Sequence, residues 1–157
     1  MMQNIHILNS KETKVIWEMI EKQFGIAEKL PYVFLMNSKE RIFLVKREIG
    51  DINLNEFRID TLGMYFGEQY KNQIRLSIEG CQLLGKLATR GVVDVTNAQM
   101  LAWMKGEDLA AFDMPAELQG QFVIVRYQED ILGCGKWREG ILYNYVSRSR
   151  TLKVVNA

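Results

Sequence analysis

Four runs dominate the last third of the chain: QFVIVRY, ILGCGKW, ILYNYV and TLKVV, from residue 121 to residue 155. Each is short, rich in β-branched and aromatic side chains, and parted from the next by polar residues, the first pair by the tight turn QED. So many consecutive strands constrain the fold more than any other feature, because a sheet built from them must hide its edges or aggregate. The pattern predicts a small closed or nearly closed barrel with short helices ahead of it.

Upstream, helix signals precede that sheet twice. Ser77 is placed to cap a helix carrying Ile78, Cys81, Leu84 and Leu87 on one face, interrupted by Gly80 and Gly85. After the strand-like GVVDV, Asn97 is placed to cap AQMLAWMKG, with Met100, Leu101 and Met104 as its stripe and Gly106 as its terminator. Trp103 reads as core or groove lining. Residues 1–74 have a different rhythm. Ser10 can cap a helix in which Val15, Ile16, Met19, Ile20 and Phe24 recur at helical spacing and Gly25 ends the run. PYVFLM and RIFLVK, joined by NSKE, predict a hairpin. The segment 51–68 has a polar opening, then apolar residues, with Gly63 and Gly67 favouring a turn or a close backbone approach. The expected architecture is α+β: a small N-terminal unit, residues 1–74, packed rigidly on a C-terminal β pseudobarrel with short helices, residues 75–157, since no Gly/Ser/Pro-rich linker parts them.

At 157 residues the chain is long enough to bury about 68–70% of its unfolded surface without disulfides or metals. Its 48% apolar and 25% charged residues describe a globular protein. No run approaches the roughly 18 to 20 apolar residues of a membrane span, and the N-terminus lacks the basic start and apolar run of a secretory signal, so a cytoplasmic address is expected. Cys81 and Cys134 have no neighbouring cysteine and His6 is the sole histidine, which favours buried structural thiols over a metal or Cys–His site. GCGKW lacks the longer glycine-rich turn and the following Ser/Thr of a phosphate loop, and it sits on an expected strand, whereas phosphate cradles open helices. Glu107-Asp108 and Glu129-Asp130 read as solvated ends and turns. No catalytic residue, cofactor or metal site is expected.

Charge is the feature that points to function. Residues 1–74 balance ten Lys/Arg against ten Asp/Glu, but residues 136–157 hold Lys136, Arg138, Arg148, Arg150 and Lys153 against Glu139 alone. With screening over about 8 Å at physiological salt, such a local excess decides the partner even though the net charge is only +1. On a strand Lys136 and Arg138 share one face and Trp137 takes the other; Arg148 and Arg150 repeat the spacing and Lys153 extends it. Tyr143 and Tyr145 also share a face, with Asn144 opposite: outward they would stack on bases, inward they would belong to the core. Lys86 and Arg90 widen the footprint, and Gly80 and Gly85 would permit close backbone approach to a ligand. The residues by themselves leave nucleic-acid binding, a protein-interaction or scaffold surface, and an enzyme all open. The second would use an apolar patch around Tyr65-Phe66 or Trp103.

RGVVDVTNAQMLAWMKGEDL, GQFVIVRYQEDILGCGKW and ILYNYVSRSRTL together resemble a PUA domain, and most nearly the PUA-like tail of rRNA cytosine-5 methyltransferases of the Nop2/Sun class. The last piece departs from that class, with Tyr143 replacing a basic residue and Val146-Ser147 replacing a proline step. GMYFGEQ followed by IRLS is similar to the junction between a small α/β pre-PUA domain and a PUA domain in the NIP7 family of ribosome-biogenesis proteins. The resemblance implies a non-catalytic RNA-binding protein of rRNA maturation or modification. Its partner would be structured RNA, either rRNA or tRNA, with an RNA methyltransferase or another ribosome-assembly protein beside it. It implies no methyltransferase activity, because neither cysteine lies in a cofactor-binding sheet. The alternative within ribosome assembly is a scaffold that does not touch RNA.

Overall fold

A computed structural model describes residues 5–46, 63–110 and 113–151. Helix α1 (Ser10–Phe24) begins one residue earlier than expected: Asn9, not Ser10, is the cap. Asn9 Oδ1 accepts the Glu12 N–H at 2.8 Å, and the Glu12 carboxylate accepts the Asn9 N–H at 3.1 Å. This reciprocal pair satisfies two donors that the helix start would otherwise leave bare, which Ser10, with Thr13 three residues on, could not do. Ile16, Trp17, Ile20 and Phe24 face the core, whereas Val15 is 45% exposed. Gly25 ends the helix at φ +67°, a left-handed value that a side chain would resist, and a Cβ there would also strike Thr89.

Five strands follow the chain into one antiparallel sheet: β1 (Ile5–Ile7), β2 (Tyr32–Asn37), β3 (Arg41–Lys46), β4 (Met64–Tyr70) and β5 (Gln73–Leu76), paired in that order. The NSKE hairpin forms as expected, with Asn37 Oδ1 accepting the N–H groups of Lys39 and Arg41. The reading of 51–68 falls largely on residues 47–62, outside the described residues.

The second sheet takes β6 (Val92–Asp94), β7 (Leu109–Ala110), β8 (Phe122–Tyr127), β9 (Asp130–Arg138) and β10 (Ile141–Asn144) in the order β6-β8-β9-β10-β7. Only β6 runs parallel to its neighbour. The sheet curls into a half-barrel with β6 and β7 at its rims, and the whole is α+β with short helices. The expected strand TLKVV lies beyond residue 151, outside the described residues except for Thr151.

Strand β8 explains how the sheets combine. Phe122, Ile124 and, next door on β9, Cys134 join a core that runs through Phe34, Ile42, Phe66 and Ile74 of the first sheet. Val123 and Val125 point to a second core with Val93, Trp103, Trp137 and Leu142. A strand buried on both faces needs an unbroken apolar run, which is what Phe122–Val125 supplies.

Among the described residues, two short helices pack against the sheets. Ser77 caps α2 (Ile78–Gly85) by accepting the Gly80 N–H. The expected freedom at Gly80 and Gly85 is spent inside the protein: a Cβ on Gly80 would strike the Phe66 carbonyl, and one on Gly85 would sit 2.6 Å from Ile131. Neither offers its backbone to a ligand. Leu87, expected on the buried face, is 36% exposed because the helix ends at Gly85. Helix α3 (Asn97–Met104) is capped by Thr96 in a reciprocal pair with Gln99, so Asn97 is already helical. Its buried side chain is Trp103, not the Met100–Leu101–Met104 stripe; Leu101 is 50% exposed. One large indole fills the space that three smaller side chains were expected to share.

Three glutamines stitch α1 and the two sheets together. Gln23, 3% exposed, donates to the Ile74 carbonyl at 3.1 Å and accepts the Ile74 N–H at 2.7 Å. Gln73 does the same across the sheets with the Gly120 carbonyl and the Phe122 N–H. Gln121 donates to the Gln23 carbonyl. Ladder groups at the rim of each sheet thus find partners on another element.

Candidate nucleic-acid interface

Lys136 and Arg138 share a face of β9, with the buried Trp137 pointing to the second core. Lys136 stands opposite Tyr143 on β10 and opposite Phe122 on β8. The Lys136 ammonium lies 4.9 Å from the Phe122 ring centre and 5.4 Å from that of Tyr70. Arg138 covers Tyr143 at 5.5 Å. Tyr145 packs edge-on against Phe122 at 5.2 Å and carries the Arg75 guanidinium over its ring at 5.1 Å. Cations and rings therefore interleave along one face, an arrangement suited to phosphates and unpaired bases alike.

Two adjoining clefts open there. One, of about 200 Å³, is walled by Glu68, Tyr70, Arg75, Phe122, Lys136 and Tyr145. The other, of about 280 Å³, continues past Arg75 and Tyr145 to Tyr65, Ser147 and Arg150. Both lie between strands of the first sheet and strands of the second. Among the described residues no carboxylate comes within 4.0 Å of Arg75, Lys136 or Arg138; the ion pairs are His6–Glu12, Arg126–Asp94 and Arg150–Glu79.

The remaining expected residues divide. Arg148 and Arg150 occupy a 3-10 turn, Arg148–Arg150, instead of a strand. Among the described residues no strand pairs with them, and the Arg150 N–H bonds the Ser147 carbonyl at 2.8 Å. Both are exposed, but Arg150 is engaged with Glu79 at 2.7 Å. Arg90 serves the fold, since its guanidinium donates to the carbonyls of Glu21 and Lys22 at the C-terminal end of α1. Lys86 is exposed at the end of α2 and lines neither cleft. Tyr143 and Tyr145 are half-buried, so the outward and inward alternatives are both partly realised. Lys153 lies outside the described residues. Cys81 and Cys134 are buried free thiols, and burial pushes the Cys81 thiol well up. Of the anchors of the docking alternative, Phe66 and Trp103 are each 1% exposed and belong to the cores, whereas Tyr65 is 38% exposed.

Tyr70, Lys71 and Arg75 went unnoticed in the sequence. The signal was there in QYKNQIR, where an aromatic and two cations flank a tight turn, but its bearing on the site comes from the packing of β5 beside β8.

The Arg150 hydrogen bond holds the Glu79 carboxyl below the usual carboxylate range, against the opposing effect of partial burial. The pair thus persists at neutral pH and is lost only as pH falls through that lowered value. Glu79→Gln releases Arg150 beside the larger cleft. A polyanion should bind this variant a few-fold more tightly at neutral pH, and the gain should vanish as the pH approaches Glu79's own titration, read by binding titrations across pH.

A curled β half-barrel with short helices, bearing a basic and aromatic face, is a PUA-like architecture. Residues 90–152 match the family model described as the methyltransferase RsmF PUA domain. The ribosomal RNA small subunit methyltransferase F of Aeromonas salmonicida (strain A449) is 32% identical over 131 residues, which cover 83% of this chain and 26% of that protein. Its counterpart in Aeromonas hydrophila subsp. hydrophila is 31% identical over 131 residues, with the same coverage of 83% and 26%. That of Vibrio campbellii is 26% identical over 98 residues, 60% of this chain and 20% of that protein. The chain spans about a quarter of the length of the Aeromonas relatives it matches. It contains a PUA-domain region that resembles the one in the RsmF and Nop2/Sun group of rRNA methyltransferases.

Proposed function

We propose that this chain is a non-catalytic RNA-binding module acting in rRNA maturation or modification, and that the cleft-bearing face is where RNA docks. The observation that carries this reading is the convergence of Arg75, Lys136 and Arg138 with Tyr70, Tyr143 and Tyr145 on one face, with no carboxylate partner for those cations among the described residues. Arg150 joins the face when Glu79 lets go; Arg148, exposed on the same turn, and Lys153 are included on the charge pattern, whereas Lys86 and Arg90 contribute at most to the long-range field. In this reading residues 75–157 form the PUA unit and residues 1–74 a pre-PUA unit that supplies Tyr70 and Lys71, in the manner of the NIP7 family. Arg75, one residue past that boundary, completes the site. The names of the relatives support rRNA as the target, a ribosome-associated setting in the cytoplasm, and a methyltransferase as the neighbouring enzyme.

The test is the salt dependence of binding to an rRNA fragment. Four cations free to meet phosphates, Lys71, Lys136, Arg138 and Arg148, each contributing about 0.7 for a single strand, predict that log K falls with log salt at a slope of roughly −3. A slope near zero, or no binding at low salt, would overturn the proposal.

A further inference from the structure

The smaller cleft has more definition than a phosphate platform requires. Tyr70 is 49% exposed at its mouth and meets Phe122 edge-on, with ring centres 6.1 Å apart and planes at 90°. Phe122 is held in turn by Tyr145, also at nearly a right angle, so the wall is a braced set of rings. At about 200 Å³ the cleft lies below the roughly 300–1,000 Å³ typical of sites for drug-sized ligands. That is room on the scale of a single flat ring.

What now covers Tyr70 is easily displaced. The ammonium groups of Lys71 and Lys136 stand 5.8 Å and 5.4 Å from its ring centre, on long, flexible stems. A cation over an exposed ring contributes about 2- to 5-fold in affinity terms, whereas a base stacked on an aromatic side chain contributes about 5- to 100-fold. A base that takes the ring therefore gains more than the ammonium loses. The freed ammonium is then close by for the phosphates on either side of that base.

The edge of the base would also be read. Glu68 and Arg75 are direct cross-strand partners on β4 and β5, and both line this cleft. Side by side they offer carboxylate acceptors and a guanidinium donor fork. Adenine, cytosine and guanine each present an exocyclic amino N–H next to a ring acceptor, which complements that pair. Uracil has no exocyclic amine, so it can meet Glu68 only through its single ring N3–H, one donor where an amino group supplies two. In a continuous A-form duplex the base faces are stacked on one another and the major-groove edges lie in a groove too deep and narrow for side chains, so it cannot place a base on Tyr70.

We propose that this cleft takes one unpaired nucleotide whose base carries an exocyclic amino group, stacked on Tyr70, read by Glu68 and Arg75, and flanked by phosphates on Lys71 and Lys136. The inference rests on the RNA-binding reading of the same face and adds its substrate class: RNA with a bulged or single-stranded residue, in preference to unbroken helix.

The experiment compares, by fluorescence anisotropy, an RNA hairpin carrying one bulged adenosine, the same hairpin with bulged uridine, and the fully paired hairpin. The full chain should bind the adenosine bulge about tenfold more tightly than the paired hairpin, and the uridine bulge in between. Tyr70→Ala should bring all three to the affinity of the paired hairpin, while Tyr70→Phe, which keeps the ring, should restore the preference. Replacing the bulged adenosine by 2-aminopurine gives an independent readout: its fluorescence should be quenched on binding to the full chain and not to Tyr70→Ala. Equal affinity for paired and bulged hairpins, equal affinity for bulged adenosine and uridine, or a preference that survives Tyr70→Ala would overturn the inference while leaving RNA binding in place. Failure to bind any of the three at low salt would overturn both.

Discussion

Reversing Arg75 and Lys136 together to glutamate is expected to weaken RNA binding by at least about 100-fold at low salt, since hydrogen bonds to charged groups contribute about 1.5–3 kcal/mol each. It should also flatten the salt slope by about 0.7, because Lys136 no longer neutralises its phosphate. These two side chains are chosen because they flank the same cleft from opposite sheets and have no ion-pair partner among the described residues. Arg75 is exposed and Lys136 is half-buried against rings, so Lys136→Gln, which removes the charge without placing a carboxylate on an aromatic face, is the companion variant. An unchanged circular dichroism melt would separate lost binding from lost structure. Lys86→Glu should change affinity little, being outside both clefts. If Lys86→Glu mattered as much as the double reversal, the field of the whole molecule would be responsible, not this face.

The largest loss of stability at a polar residue is expected from Gln23→Ala. The substitution leaves the Ile74 N–H and carbonyl without their partner in the core, and each orphaned group costs about 1–3 kcal/mol. For a chain of this size the melting temperature falls by about 2–4 °C per kcal/mol, so a drop of roughly 4–24 °C should be seen in a thermal melt. The same change loosens β5, which carries Arg75 next to Ile74, so RNA affinity should weaken at temperatures where the protein is still folded. A melt within about 2 °C of the parent would show that water or a neighbour replaces the glutamine, and that the brace is dispensable.

The sheet at residues 122–144 was legible because its runs are short, apolar and separated by polar turns, and because the buried Phe122–Val125 stretch leaves little choice but a strand covered on both sides. Helix starts were displaced by one residue in two places for a common reason. Asn9 and Ser10, like Thr96 and Asn97, are adjacent good caps, and only the partner three residues on decides between them: Glu12 for Asn9, Gln99 for Thr96. Arg148 and Arg150 misled because two-residue spacing implies a shared strand face only where a strand has a neighbour to pair with. Arg90 looked like a free cation because sequence does not reveal that the end of α1, more than sixty residues earlier, needs its carbonyls covered. The site itself was half visible. Lys136, Arg138, Tyr143 and Tyr145 are local to one hairpin, but Tyr70 and Arg75 reach them only through the docking of one sheet on another.

The finish of α1 has a consequence for how the molecule is made. The Phe24 carbonyl accepts the Thr89 N–H at 2.8 Å and the Arg90 N–H at 3.2 Å, and Thr89 Oγ1 reaches the Gly25 carbonyl at 2.8 Å. These groups leave the ribosome long after the helix does. At translation rates of about 5–20 residues per second, some 65 residues of delay amount to roughly 3–13 s in which a nascent α1 waits with its last turn open. The N-terminal half thus reaches its final form only once the start of the second half has been synthesised.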